Sequence, residues 1–347
     1  MRAPDSPPVP SYEPPAVPGW AVPRGPVTSD VEAGFMAGAA LNSLDNLVRA
    51  APAWAGAWRQ RLALKSAAAA VALAGRTETE AQLRDAWHLR AAGADPGPAG
   101  NILAAWRRSA ARSPATDAAV LRTTVDLLGL RWSDDLAALL ERLDDLARSG
   151  QPAPLVAAAI VTEVQQCRSE ASLLGWWLAD QALARRMRWP VAVPLLAMRA
   201  RGSAFRNPGD RGRIRPGGEG FERAICVAVA LAATEACRTA AELAPRAARL
   251  TEVGPKLRAK GAGEVIQRLL DDDAVSGTVQ TKSLTRWGSR RLFQRRMALG
   301  ALRELSGRAS FRLYGLRSMA RRNPAEELVD TELADLPPEL GRRDRLG

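Results

Sequence analysis

Apolar residues recur along most of the chain at three- and four-residue steps, the period of helices with one buried face. Asp30 is a good N-cap, so a helix is predicted from there to about Ala50, with Phe35, Ala39, Leu44 and Leu47 near one face. Residues 54–74 form a second, with Trp54, Trp58, Leu62 and Ala69 in step. Thr77 with Glu80 reads as a capping box opening a third, which ends near Arg90. The run Asp-Pro-Gly-Pro-Ala-Gly at 95–100 is a strong helix stop. Further helices fit 101–111, 117–128, 133–148, 154–167 and 169–188. An Ala-rich helix follows at 221–250, with Pro245 as a candidate break, and another at 256–272. β-branched alternation is nearly absent. The expected fold class is therefore mainly α, a helical array or bundle in which tryptophans fill the gaps between helices.

The pattern changes after Asp273. Residues 283–287 suit one short helix. Ser289 is a good N-cap for a second that runs to Leu299 and closes on Gly300. Residues 302–305, a turn at 306–309 and residues 310–314 then read as a hairpin. In its second strand Phe311 and Leu313 share one face, and Ser310, Arg312 and Tyr314 the other. With a leading helix at 264–270, the order is helix, helix, helix, strand, turn, strand. That is the order of a winged helix-turn-helix. The expected organisation is a disordered Pro-rich arm at 1–29, an all-α domain at 30–201 and a Gly/Arg-rich loop at 202–220. A long helical segment at 221–254, the winged helix-turn-helix at 255–316 and a flexible tail at 317–347 follow.

Charge singles out the same end of the chain. The 347 residues carry a formal charge of +12. Between Lys282 and Arg322 lie twelve Lys and Arg and one acid, Glu304, so that segment carries +11 and the remainder +1. A concentrated basic block beside a neutral body suits a polyanion, nucleic acid before anionic membrane. Arg290, Arg291, Gln294 and Arg295 fall on the first turns of the last helix, the turns a recognition helix offers to base edges. Arginine pairs bidentately with guanine and glutamine with adenine. Arg308 sits at the tip of the expected wing, and Arg303 and Arg312 can meet phosphates beside it. Arg296 falls where the period of Leu292 and Leu299 calls for a core residue.

Other classes fit less well. The longest uncharged run, 149–162, has 14 residues and two prolines, short of a membrane span. The first 26 residues hold nine prolines and no apolar signal core, and PxxP matches such as Pro7–Pro10 and Pro15–Pro18 read as a solvated arm. Cys167, Cys226 and Cys237 show no metal or redox spacing, so a reducing cytoplasm is expected, with Cys226 and Cys237 packed as small apolar residues. No catalytic, cofactor or metal site is assigned, because no phosphate-binding loop, dinucleotide fingerprint or HExxH is present. His88 reads as a structural histidine near Asp85 and Trp87, and Asp180 as a carboxylate paired with Arg185 or another arginine. Arg206, Arg211, Arg213 and Arg215 read as part of a mobile linker, and Asp271, Asp272 and Asp273 as a solvated helix end.

Residues 300–316, GALRELSGRASFRLYGL, resemble the winged-helix end of Fic-type proteins. Fic chemistry is not implied, because the His-Pro-Phe motif is missing and the single histidine, His88, precedes a leucine. Across about residues 20–316 the chain resembles an alphaproteobacterial family, domain of unknown function 1403. The matching segments are WAGAWRQRLAL (54–64), DPGPAG (95–100), FERAICVA (221–228), PKLRAKGAGEVI (255–266) and the C-terminal stretch. In that family an apolar residue is usual where Arg296 stands. The resemblance implies no activity and no catalytic residues. The expected function is DNA binding, with a regulatory role, through the winged helix, while the helical body dimerises or meets a protein partner. The alternatives are an adaptor whose basic face docks an acidic protein, and an enzyme with a pocket in the helical body.

Overall fold

The computed structural model describes residues 12–91, 93–114, 117–207, 212–253, 261–281, 283, 285–298, 301–306 and 311–316. The expected arm up to residue 11, the wing tip with Arg308, and the tail from 317 lie outside the described residues.

The described residues are mainly helical. In the body, α1 is Asp30–Ala50, α2 Ala55–Leu73, α3 Glu80–Leu89, α4 Gly97–Ser109 and α5 Ala118–Leu127. They are followed by α6 Asp134–Arg148, α7 Ala153–Cys167, α8 Ser172–Arg186 and α9 Phe221–Val253. At the C-terminal end, α10 (Ala262–Asp271), β1 (Val275–Ser276), α11 (Arg286–Ala298), β2 (Leu302–Glu304) and β3 (Leu313–Leu316) complete the order.

The helix starts follow local chemistry, with some shifts from expectation. Ser29, not Asp30, caps α1, its hydroxyl accepting from the Glu32 amide at 3.3 Å. The capping box of α3 is Thr79 with Gln82, two residues beyond the expected pair. Asp117 caps α5 through the Val120 amide at 2.8 Å. The run 95–100 proves to be a helix start: Asp95 accepts from the Gly97 amide at 2.9 Å, and Pro98 occupies the first turn of α4, where its missing N–H costs nothing.

The core forms around α9, which packs against α1, α7 and α2. Helix α9 is unbroken at Pro245, because Leu243, Ala247 and Leu250 stay buried on either side of it. By length and apolarity α9 is long enough to cross a membrane, but 72% of its apolar window is buried inside the fold. Trp54, Trp58, Trp106, Trp176, Trp177 and Trp189 fill gaps as expected, whereas Trp20 and Trp287 are exposed, and members of the buried set also bond across the gaps. Trp58 of α2 donates to the Ala236 carbonyl at 2.9 Å, and Trp177 of α8 to the Ala105 carbonyl at 3.2 Å. Residues 12–29, expected in a disordered arm, lie against the body. Tyr12 packs on Trp54, Ala21 is buried, and Trp20 stacks on Phe35 at 5.2 Å. The aromatic anchors override the proline-rich composition.

The three strands form one antiparallel sheet in the order β1-β3-β2. Leu302 faces Leu316, Glu304 faces Tyr314, and Tyr314 also faces Val275. Phe311 does not share the Leu313 face. Its φ of +59° takes it off the strand course and leaves it exposed, while Leu313 and Tyr314 are both buried.

Candidate nucleic-acid interface

Helix α11 begins one turn earlier than its sequence pattern suggests; of the short helix expected at 283–287 only the last two residues are helical, as the first turn of α11, so no separate helix forms there among the described residues. Thr285 is its cap, accepting from the Gly288 amide through its hydroxyl and from the Ser289 amide through its carbonyl. Ser289 is therefore no cap. It is fully buried, and its hydroxyl donates to the Val279 carbonyl, fastening the preceding segment to the helix. Ser289, Leu292 and Phe293 form the buried side of α11. Phe293 stacks on Tyr314 of β3, with ring centroids 4.5 Å apart and planes within 7°.

That packing turns the opposite side outward. Trp287, Arg290, Arg291, Gln294 and Met297 are all exposed, and their spacing puts them on one helix face. Three candidate contacts, Arg290, Arg291 and Gln294, thus share a free surface. Arg295 is on the same helix, but its side chain lies outside the described residues, as does that of Arg296. Arg303 is exposed on β2. Arg312 is exposed beside the start of β3 and pairs with Glu304 at 3.3 Å. Glu304 thus faces an arginine of its own hairpin, and the α11 face has no described carboxylate on it.

The unit carrying this face is fixed to the body by charges that the sequence did not reveal. Asp273, at the end of α10, is buried and accepts from Arg61 of α2 at 2.9 Å and from Arg84 of α3 at 2.6 Å. Burial alone would raise its carboxyl; the two guanidiniums outweigh that and hold it well below the usual range. Asp272 takes both amino groups of Arg107 of α4, at 3.0 and 2.8 Å. His88 lies 3.9 Å from Asp272, and burial lowers its pKa, so the ring is held neutral. The pair is an anchor and not the solvated helix end expected from sequence. Arg61 also reaches the Leu316 carbonyl at 3.4 Å, so the sheet hangs from the same arginine.

Other sequence candidates fall into structural roles. Among the described residues Asp180 pairs with no arginine; Arg185 instead meets Asp144 at 2.7 Å. Asp180 Oδ1 accepts from the amides of Leu195 and Leu196 at 3.2 and 3.0 Å, and burial pushes its pKa up to about 7. Arg213 is no part of a free linker, since its guanidinium donates to the carbonyls of Ala200, Arg201 and Gly202. Arg211 lies outside the described residues. Cys226 and Cys237 are buried, and desolvation raises their thiols to about 11 and about 12. A cavity of about 460 Å³ lies between residues 23–27 and the start of α9, with Arg24, Arg206 and Arg223 in its lining. Among the described residues, no group of three or more His, Cys, Asp or Glu is placed to hold a metal ion.

Residues 9–316 match the family described as protein of unknown function (DUF1403). The chain belongs to this family. No match was found among curated proteins or solved structures. The DUF1403 match covers the anchor and the exposed α11 face alike.

Proposed function

We propose that residues 255–316 of this DUF1403 protein form a winged helix-turn-helix that binds DNA through α11, with a regulatory role in the cytoplasm. The observation that carries this reading is the free α11 face with Arg290, Arg291 and Gln294 side by side, opposite the Phe293–Tyr314 stack. The element order α10, β1, α11, β2, β3, with the strands arranged β1-β3-β2, supports the same reading. In it, α11 enters the major groove. Arg290 and Arg291 meet guanine edges or phosphates, Gln294 meets an adenine, and Arg303 with Arg312 holds the backbone beside the helix. By sequence position, Arg295 and Arg308 join the proposed set.

Selection from a random duplex pool tests this reading. The wild-type chain is expected to enrich one short site. Gln294→Ala is expected to relax one adenine position by about 1–3 kcal/mol while leaving the rest of the site intact. An unenriched pool would remove sequence-specific binding from the account.

The exposed Trp287, Met297 and Phe311 favour a second reading, an adaptor face for an acidic protein, because apolar side chains gain from a protein partner. Under that reading Arg290→Ala weakens capture of the partner and leaves DNA retention unchanged.

A further inference from the structure

The α11 face is only half suited to a phosphate backbone. Arg290 and Arg291 supply cations, but Trp287 is 75% exposed and Met297 37% exposed on the same surface. Phosphates satisfy the first and leave the second in water. A partner that fits both carries carboxylates and branched apolar side chains together.

Such a segment lies in this chain. Residues 323–340 hold six acids (Glu326, Glu327, Asp330, Glu332, Asp335 and Glu339) and no base. Val329, Leu333 and Leu336 recur at i, i+4 and i+7, the spacing of one helix face. Asn323, Pro324 and Glu326 have the order of an N-cap, a first-turn proline and a third-position acid.

The tether and the face are of similar length. Leu316, the last residue of β3, pairs with Leu302, which follows closely after the last residue of α11, Ala298. The residues between Leu316 and Asn323 span up to about 20 Å when extended. The 13 residues of α11 measure about 20 Å along the axis, a length comparable with that tether. A short tether also holds its segment at an effective concentration of about a millimolar, enough for a contact that would be weak between separate molecules.

We propose that the acidic segment 323–340 docks on the exposed α11 face, its carboxylates on Arg290 and Arg291 and its leucines on Trp287 and Met297. It thereby competes with nucleic acid for that face. The competition rests on the DNA reading above; the contact itself does not.

The test uses full-length chains and a fluorescent peptide of residues 323–340. In one chain Glu326→Gln, Glu327→Gln, Asp330→Asn and Glu332→Gln neutralise the tail; a second adds Arg290→Ala and Arg291→Ala. Circular dichroism confirms that both retain the wild-type helix content. At about 50 mM salt, the peptide is expected to bind the tail-neutralised chain at least tenfold more tightly than either wild type or the chain that also lacks the arginines. No binding to the tail-neutralised chain, or equal binding to wild type, overturns the proposal. Random duplex DNA is titrated in parallel. A roughly tenfold gain in DNA affinity on tail neutralisation supports the competition. Peptide binding without DNA binding by either chain upholds the contact and refutes the DNA reading, and DNA binding without peptide binding does the reverse.

Discussion

Arg61 and Asp273 meet across 212 residues of sequence, with Nε of the arginine 2.9 Å from Oδ1 of the aspartate. The contact joins a central helix of the body to the end of α10, and Arg84 closes on the other carboxylate oxygen. The basic face of α11 is therefore presented by a unit seated on the body through buried charge. Apolar contacts add to it, since Val275, Phe293, Leu302, Tyr314 and Leu316 belong to the same buried core as the body helices.

Asp273→Ala is expected to cost about 3–5 kcal/mol, because it leaves two buried guanidiniums without their carboxylate. Chemical denaturation of the full chain measures it. The wild-type contribution depends on pH with a definite sign. The folded carboxyl is depressed below its ordinary value of 3.8, so the stabilisation is present above about pH 4 and fades as the pH falls further. A loss below about 1 kcal/mol would show that the anchor is not needed.

Asp180 acts in the opposite direction. Its folded pKa is about 7 against an ordinary 3.8, so its contribution is full below about pH 4 and is lost as the pH rises to about 7. Asp180→Asn keeps an oxygen for the Leu195 and Leu196 amides and removes the titration. Measured at pH 4 and again above pH 7, the variant is expected to gain about 2–4 kcal/mol relative to wild type. A pH-independent difference would contradict the assignment.

Gly315 marks a close approach. A β-carbon there would lie 2.6 Å from the Asp273 carbonyl oxygen and 2.8 Å from Leu305 Cδ1. Gly315→Ala is expected to lose about 1–3 kcal/mol, since the backbone oxygen cannot move without disturbing the anchor. Phe293→Ala, which empties the stack behind the basic face, is expected to lose about 3–5 kcal/mol. Thermal unfolding checks both, and wild-type stability in either variant would disprove the packing described.

Most helices were legible in the sequence because amphipathic period and caps are local signals. The ends of α5, α6 and α7 fall within about a residue of their expected positions. The cap residues were less so: Ser29 and Thr79 stand close to equally suitable neighbours, Asp30 and Thr77, and only backbone geometry chooses between them. The anchor was not legible at all. Adjacent aspartates at a helix end look solvated, and nothing local announces arginines more than 150 residues earlier in the chain. Phe311 was misplaced because strand alternation fails where φ turns positive. At the candidate interface, charge and helical spacing place Arg290, Arg291 and Gln294 on one helix, while the exposure of Trp287 beside them follows from the packing of Phe293 on Tyr314, which no local pattern shows.

The most direct test of the central claim is fluorescence anisotropy on random duplex DNA across a salt series, wild type against the Arg290→Ala/Arg291→Ala chain. A steep negative slope of log K against log salt, shallower by about one to two units in the variant, is the predicted result. Absence of binding by folded wild type at about 50 mM salt, or equal slopes for the two chains, would contradict it.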